Sequence, residues 1–289
     1  MQNKVYEYVT ERILKKLESG VIPWRRPWGA QQRAINWVSQ KPYSGINAML
    51  LEPGEYVTFK QALEYKAHVK KGAKASMIVF YRRYEKENDD GEKSQMFVLR
   101  YYNVFELADV EGLERRCKPT GNETGDDTSE AERIAFEFSE SGKCPVVNCS
   151  SQKACYMPTI DVVNIPDVAM FNVRSEYYAT LFHELAHSTG RWTRLHRYDE
   201  NDRHEFGSDT YSKEELVAEM AAAFLCSMSG IASERLIDNQ ASYVSGWKNR
   251  ISGDNSLVIK AASLASKASD YIALIDSKET IECREVEPC

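Results

Sequence analysis

His183-Glu184-Leu185-Ala186-His187 is the stretch on which the reading of this chain turns. Residues i and i+4 of an α-helix lie on one face. Both imidazoles therefore reach one metal ion, and Glu184, beside the first, is placed to act on water held there. The pattern names a chemistry, metal-assisted hydrolysis, as well as a local structure. Around it, Tyr177, Tyr178, Leu181, Phe182 and Leu185 gather on one side of the helix, and His183 and His187 fall on the other. The bland alternative is a pair of exposed or hydrogen-bonded histidines. An accidental match is expected in on the order of one chain in a hundred of this length.

A zinc-type site needs a third protein ligand and keeps a fourth position for water. The best candidate is Glu215, within Glu214-Glu215-Leu216-Val217-Ala218-Glu219. Glu215 and Glu219 are one turn apart, and their stripe continues through Ala222, Ala223 and Cys226. A solvated face would not become small and apolar, so this face is expected to pack against the histidine helix. Glu215 then ligates, and Glu219 orients a ligand imidazole from behind. The competing role for Glu215 is a capping box with Ser212. His196 and His204 compete as third ligand, His196 because it follows the Gly190 turn. Glu184 is the expected general base. Tyr198, His196, His204 and Tyr211 are the available donors to a developing oxyanion.

With 289 residues, 43% apolar and 28% charged, the chain reads as a globular protein of one large or two ordinary domains. No apolar run approaches a membrane span and the N-terminus is not a signal peptide, so no membrane partner and a cytoplasmic location are expected. Seven cysteines without a CxxC pair read as free thiols of a reducing compartment.

Charge divides the chain. Residues 1–118 hold 21 Lys and Arg against 15 Asp and Glu, and the remainder holds 16 against 28. The polar, turn-rich run from Lys118 to Asp127 marks the boundary. The expected organisation is a basic, aromatic domain at 1–118, a linker at 119–129 and a second domain at 130–289. In the first, Val5, Tyr8, Val9, Ile13, Leu14 and Leu17 give a helix ended by Gly20, and Ser76–Tyr84 and Gln95–Phe105 read as strands joined around Asn88-Asp89-Asp90-Gly91. In the second, helices are expected near Glu130–Phe138, Ser175–Ser188, Ser212–Met228, Ala241–Arg250 and Asn255–Ile275. Short strands near Cys144–Val147 and Ala154–Asn164 offer an edge to an extended peptide. The fold class is α+β.

Residues 1–118 carry 16 of the 31 aromatic residues, many beside cations. Stacking platforms combined with basic grooves bind single-stranded nucleic acid. The candidate contacts are Trp24, Arg25, Arg26, Trp28, Lys41, Tyr43, Lys60, Lys70, Lys71 and Lys74. For any one of them the ordinary reading is a core aromatic or a solvated cation.

Ile22-Pro23-Trp24, Pro27-Trp28, Lys41-Pro42-Tyr43-Ser44-Gly45-Ile46-Asn47, Thr58-Phe59-Lys60-Gln61-Ala62, Val69-Lys70-Lys71-Gly72 and Tyr102-Asn103-Val104-Phe105 form one set of motifs. Tyr177 to Gly190 and Glu214 to Glu219 form another. Together they resemble the ArdC-type antirestriction proteins of conjugative plasmids, over nearly the whole chain. The resemblance implies a mixed α/β domain that binds single-stranded DNA, followed by a zincin-like metallopeptidase domain of the gluzincin kind. It implies protection of incoming plasmid DNA from host restriction, with single-stranded DNA and a host restriction–modification protein or other peptide as partners. One Zn2+ per chain is expected, and the ligand types also admit Mn2+ or Co2+. The alternative is a DNA-coating or restriction-enzyme-binding protein whose metallopeptidase fold is catalytically silent. Nuclease chemistry is disfavoured, since many phosphodiester-cleaving sites use two metals.

Overall fold

The computed structural model describes residues 2–25, 33–87, 93–116, 127–199, 209–231 and 240–275. The chain opens with α1 (Gln2–Glu18) and a 3-10 turn at Pro23–Arg25. There follow β1 (Ala34–Asn36), α2 (Ile46–Leu50), β2 (Gly54–Thr58), α3 (Phe59–Glu64), β3 (His68–Val69), β4 (Ser76–Glu87), β5 (Lys93–Glu106) and β6 (Val110–Glu111). Strands β1, β2, β5 and β4 form a sheet in that order, with β1 parallel to β2 and the other pairs antiparallel. The β4–β5 hairpin is in register from Ser76 opposite Val104 to Glu87 opposite Lys93. The Asn88–Gly91 turn expected to close it lies outside the described residues, as do 119–126 of the expected linker.

Short elements of this half were not legible as periodic patterns, because local hydrogen bonds rather than apolar faces define them. Thr58 caps α3 and exchanges hydrogen bonds with Gln61 in a full capping box. Asn47 on α2 donates to the Val79 carbonyl at 2.9 Å and accepts from the Val79 N–H at 2.7 Å. A buried amide thus completes the edge of β4 as a neighbouring strand would, which satisfies two backbone groups that burial would otherwise penalise.

The second half comprises α4 (Ser129–Glu140), β7 (Val146–Asn148), β8 (Cys155–Met157), β9 (Val162–Asn164), α5 (Arg174–Thr189), α6 (Asp209–Ser229), α7 (Gln240–Gly253) and α8 (Leu257–Ile272). The strands lie in the order β7-β9-β8, with β8 antiparallel to β9. Helix α5 departs from the expected amphipathic reading. Its residues from Tyr178 to Ala186 are all buried, His183 and Glu184 included. A helix buried on all sides must be packed on all sides, and α5 lies against α4, α6, α8, β8 and β9. The histidines face an internal contact with α6 rather than a solvated surface. The four described cysteines, Cys144, Cys149, Cys155 and Cys226, are thiols outside any disulfide. No helix among the described residues is long and apolar enough to cross a membrane.

The hydrophobic interior runs across the charge boundary. Val5, Val9, Ile13 and Leu17 of α1 are buried in the same cluster as α5, α6 and α8, together with Trp24, Met49 and Leu50. Helix α1 packs on α7 and α8, and the Thr10 hydroxyl donates to the Asn255 carbonyl at 2.9 Å. Gly45, at φ 58°, approaches α8 so closely that a Cβ would stand 2.9 Å from the Ser266 hydroxyl. Ile13→Ala is therefore expected to destabilise the chain by about 2–5 kcal/mol and to melt both halves together. A urea titration followed at Trp fluorescence and by far-UV dichroism checks this, and separate transitions for the two halves would contradict it.

Candidate metal centre

Helices α5 and α6 bring three side chains to a point. His183 Nε2 and His187 Nε2 are 3.1 Å apart. Glu215 offers one oxygen 3.6 Å from His183 Nε2 and the other 3.4 Å from His187 Nε2. Among the described residues these three form the group able to hold a metal ion. Donor atoms at 2.0–2.1 Å on three corners of a tetrahedron stand about 3.3–3.4 Å apart, close to the spacings seen between the two imidazoles and the Glu215 carboxylate. The capping-box role for Glu215 does not apply, because α6 begins at Asp209 and Ser212 is already inside it. His196 is also set aside: it is exposed, has φ 50° and pairs with Asp199 at 2.6 Å. His204 and the Tyr211 side chain lie outside the described residues.

A second carboxylate, not assigned from the sequence, completes the centre. Glu214 Oε1 lies 3.6 Å from His187 Nδ1, on the side of the ring away from the metal position. Arg197 grips Glu214 through Nη2 at 2.6 Å and Nε at 3.0 Å, and also donates to the Thr189 hydroxyl and the Ala186 carbonyl. Burial alone would raise the Glu214 carboxyl, but Arg197 and His187 outweigh it and hold it below the ordinary value. Burial alone would likewise lower His187, but hydrogen bonds to Glu214 and Glu215 outweigh it and push it up to about 10. The sequence signal for Glu214 was the Glu214-Glu215 doublet. Adjacent helix positions diverge by about 100°, enough for one carboxylate to meet Nε2 and the other Nδ1.

Glu219, one turn beyond Glu215, accepts from Trp24 Nε1 at 3.0 Å and from the Tyr243 hydroxyl of α7. Tyr198, considered above as an oxyanion donor, is committed elsewhere. Its hydroxyl donates to the His187 carbonyl at 2.7 Å, and its ring fills the space beside Gly190. A Cβ at Gly190 would come within 2.3 Å of that ring and 3.0 Å of Arg197 Nη2, so glycine is required there by close approach.

Glu184 is buried, and its Oε2 accepts from the Tyr156 backbone N–H of β8 at 2.9 Å. Strand β8 is clamped in turn. Asp161, at the β8–β9 turn, receives both terminal nitrogens of Arg194 at 2.8 Å and the Tyr156 hydroxyl at 2.8 Å. Arg191 lies 3.3 Å from the same carboxylate. Both arginines directly follow α5, so the edge strand is tied to the helix that carries the general-base candidate.

The candidate DNA contacts divide. Trp24 is corrected: it is fully buried with its N–H donated to Glu219, and offers no ring face for stacking. Tyr43 is half-buried and packs edge-on against Tyr56 at the margin of a small core. Lys41, Lys60, Lys70, Lys71 and Lys74 are exposed. Arg26, Trp28 and the Arg25 side chain lie outside the described residues. Exposed rings of this half outside the candidate contacts include Phe59, 55% accessible, and Tyr65 and Tyr101, each 45%, with Leu63 at 51%.

The fold and the His–His–Glu group define a zincin-like metallopeptidase domain, and that family matches residues 135–264. The N-terminal domain of the anti-restriction factor ArdC matches residues 3–105. The antirestriction protein ArdC of plasmid R388 is 30% identical over 92% of this chain and 96% of its own, with a TM-score of 0.69 to its metal-free crystal structure and 0.70 to its Mn(II)-bound one. A Sinorhizobium fredii protein, y4eC, is 30% identical over 93% of this chain and 91% of its own length. Two Escherichia coli DNA primases TraC are 28% and 29% identical over 96% of this chain, which spans only 20% and 28% of their lengths. The chain belongs to the ArdC antirestriction family.

Because His187 is held protonated up to about pH 10, a metal must displace that proton. Metal uptake at pH 7 is expected to release about one proton per ion, and the apparent affinity to rise from pH 7 towards 10. Calorimetry in buffers of different ionisation enthalpy measures both, and uptake without proton release would count against the assignment. His183→Ala and Glu215→Ala are each expected to lower affinity by more than about 100-fold.

Proposed function

We propose that this protein shields incoming single-stranded plasmid DNA from host restriction by binding the strand through its N-terminal half, and that its second half is a working metallopeptidase. The observation that carries the second part is the coincidence of four groups: His183, His187 and Glu215 spaced for one ion, and Glu184 held beside them by the Tyr156 N–H. His183, His187 and Glu215 would hold the ion, for which zinc suits the ligand set and Mn(II) is the ion bound in the R388 relative. When bound, the ion acts as a Lewis acid and lowers the pKa of water towards roughly 7.

Every other step falls to the chain. Glu184 takes the proton from the attacking water and returns it to the leaving amine. The Tyr156 N–H orients the Glu184 carboxylate, and the clamp on Asp161 keeps that N–H in place. Glu214, neutralised by Arg197, fixes the His187 ring. Strand β8 lies at a sheet edge, so its remaining backbone groups suit pairing with an extended peptide. A host restriction–modification protein is the substrate class that fits the family.

For DNA, the reading rests on an exposed face of α3. Phe59 and Leu63 are one turn apart, Tyr65 follows, and Lys60 and Lys66 flank them. The exposed lysines 70, 71 and 74 follow on the same basic stretch. Two rings and a row of cations are the components of a stacking platform. Binding is expected to be indifferent to sequence and to weaken steeply with salt.

Two experiments test the parts separately, both on the full chain because α1 and Trp24 are part of the shared interior. Phe59→Ala with Tyr65→Ala is expected to cost about 1–3 kcal/mol per ring in affinity for an oligonucleotide, measured by fluorescence anisotropy at fixed salt. Wild-type affinity in that variant would remove α3 from the binding face. Glu184→Gln is expected to keep metal and fold and to abolish hydrolysis. If plasmid transfer into a restricting host is protected equally well by that variant, the metallopeptidase fold is silent in antirestriction and DNA coating is the operative function.

A further inference from the structure

Trp24 is absent from both parts of this mechanism, yet it is fully buried and joins the two halves of the chain. Its indole N–H reaches Glu219 Oε2 at 3.0 Å and lies 3.3 Å from the Tyr243 hydroxyl, which donates to the same carboxylate oxygen. The ring packs edge-on against Trp247, with centroids 6.0 Å apart, and Trp247 packs in turn against Tyr243. Three elements distant in sequence therefore converge on one carboxylate: the 3-10 turn at Pro23–Arg25, helix α6 and helix α7. Glu219 is one helical turn from Glu215, on the same face of α6.

The energetic logic favours a positioning role over simple packing. An indole needs only one acceptor, and a tryptophan used purely as filler would satisfy it with a nearby backbone carbonyl. Here it is spent on a carboxylate of the metal helix, where a hydrogen bond to a charged group is directional and stronger than a neutral one. Ala218 and Ala222, on the same stripe of α6 as Glu215 and Glu219, are small and buried, so that stripe offers little side-chain bulk of its own to set the rotation of the helix. Small residues do not interlock. A pair of donors held by other elements adds, at that stripe, to the hold that Arg197 has on Glu214.

We propose that Trp24 is a positioning residue of the metal centre. With Tyr243 it fixes Glu219, and through Glu219 the rotation of α6 that presents Glu215 to His183 and His187. The N-terminal half then contributes to metal affinity without touching the ion. This rests on the metal-site reading above.

The test compares three variants of the full chain. Trp24→Phe removes the donor and keeps an aromatic ring. Tyr243→Phe removes the second donor from outside the N-terminal half. Trp247→Phe trims the same aromatic cluster without removing either donor to Glu219. Zn(II) affinity is measured by chelator competition well below the unfolding temperature, and the visible ligand-field spectrum of bound Co(II) reports the ligand set. Trp24→Phe and Tyr243→Phe are each expected to weaken Zn(II) binding about tenfold and to alter the Co(II) spectrum, while Trp247→Phe stays within about twofold of wild type. Wild-type affinity and spectrum in Trp24→Phe overturn the proposal, as does an equal loss in Trp247→Phe, which would mark the effect as packing. If Trp24→Phe does not fold, Tyr243→Phe decides in the same way. Failure of the wild type to bind any metal would instead defeat the underlying metal-site reading.

Discussion

The structure depends on the meeting of α5 and α6, where two imidazoles, two carboxylates and a guanidinium are buried together. Such a cluster is stable only when every charge has a partner within reach. Arg197 answers Glu214, Glu214 answers His187, and Glu215 faces both imidazoles. Glu214 and Glu215, on either side of the His187 ring, outweigh its burial and push its pKa up.

The surrounding architecture reads as a set of restraints on that meeting. Gly190 lets Tyr198 and Arg197 fold back under the end of α5. Asp161 ties the edge strand to the arginines after α5, so that the Tyr156 N–H reaches Glu184. One turn further along α6, Glu219 takes donors from two other elements. The site is thus held from the edge strand, from the loop after α5 and from the N-terminal turn. That is the kind of support a centre needs if its ligands are to stay within a fraction of an ångström of working geometry.

The joining of the two halves bears on how a DNA-binding region and a peptidase site coexist in one protein. Helix α1, Trp24 and α2 carry residues of the N-terminal charge block but lie in the interior shared with α5 to α8. The sheet of β1, β2, β5 and β4, with α3 beside it, has small cores of its own. Charge composition follows what each surface meets in solvent, whereas packing follows apolar faces, and in this chain the two boundaries do not coincide.

Much of the fold and the heart of the site were legible in sequence. The 3.6-residue periodicity of α1, the alternating strands β4 and β5 and the long C-terminal helices are local properties. The His183–His187 spacing is a property of one helix, and Glu215 was reachable because its stripe ran on into alanines. Other features were not readable, because they join residues far apart in the chain. The burial of Trp24, the bond from Tyr156 to Glu184 and the choice of Glu214 to orient His187 all depend on which elements face one another. The error over Trp24 has the same origin: an aromatic beside cations looks identical whether its ring meets solvent or core. Sequence alone determined the helix that carries His183 and His187, because periodicity and spacing are set by local geometry, and its motifs carried the resemblance to the family. Only the tertiary structure decided which carboxylate faces each imidazole nitrogen and which aromatic rings are exposed, because those placements follow from contacts that exist only once the chain has packed.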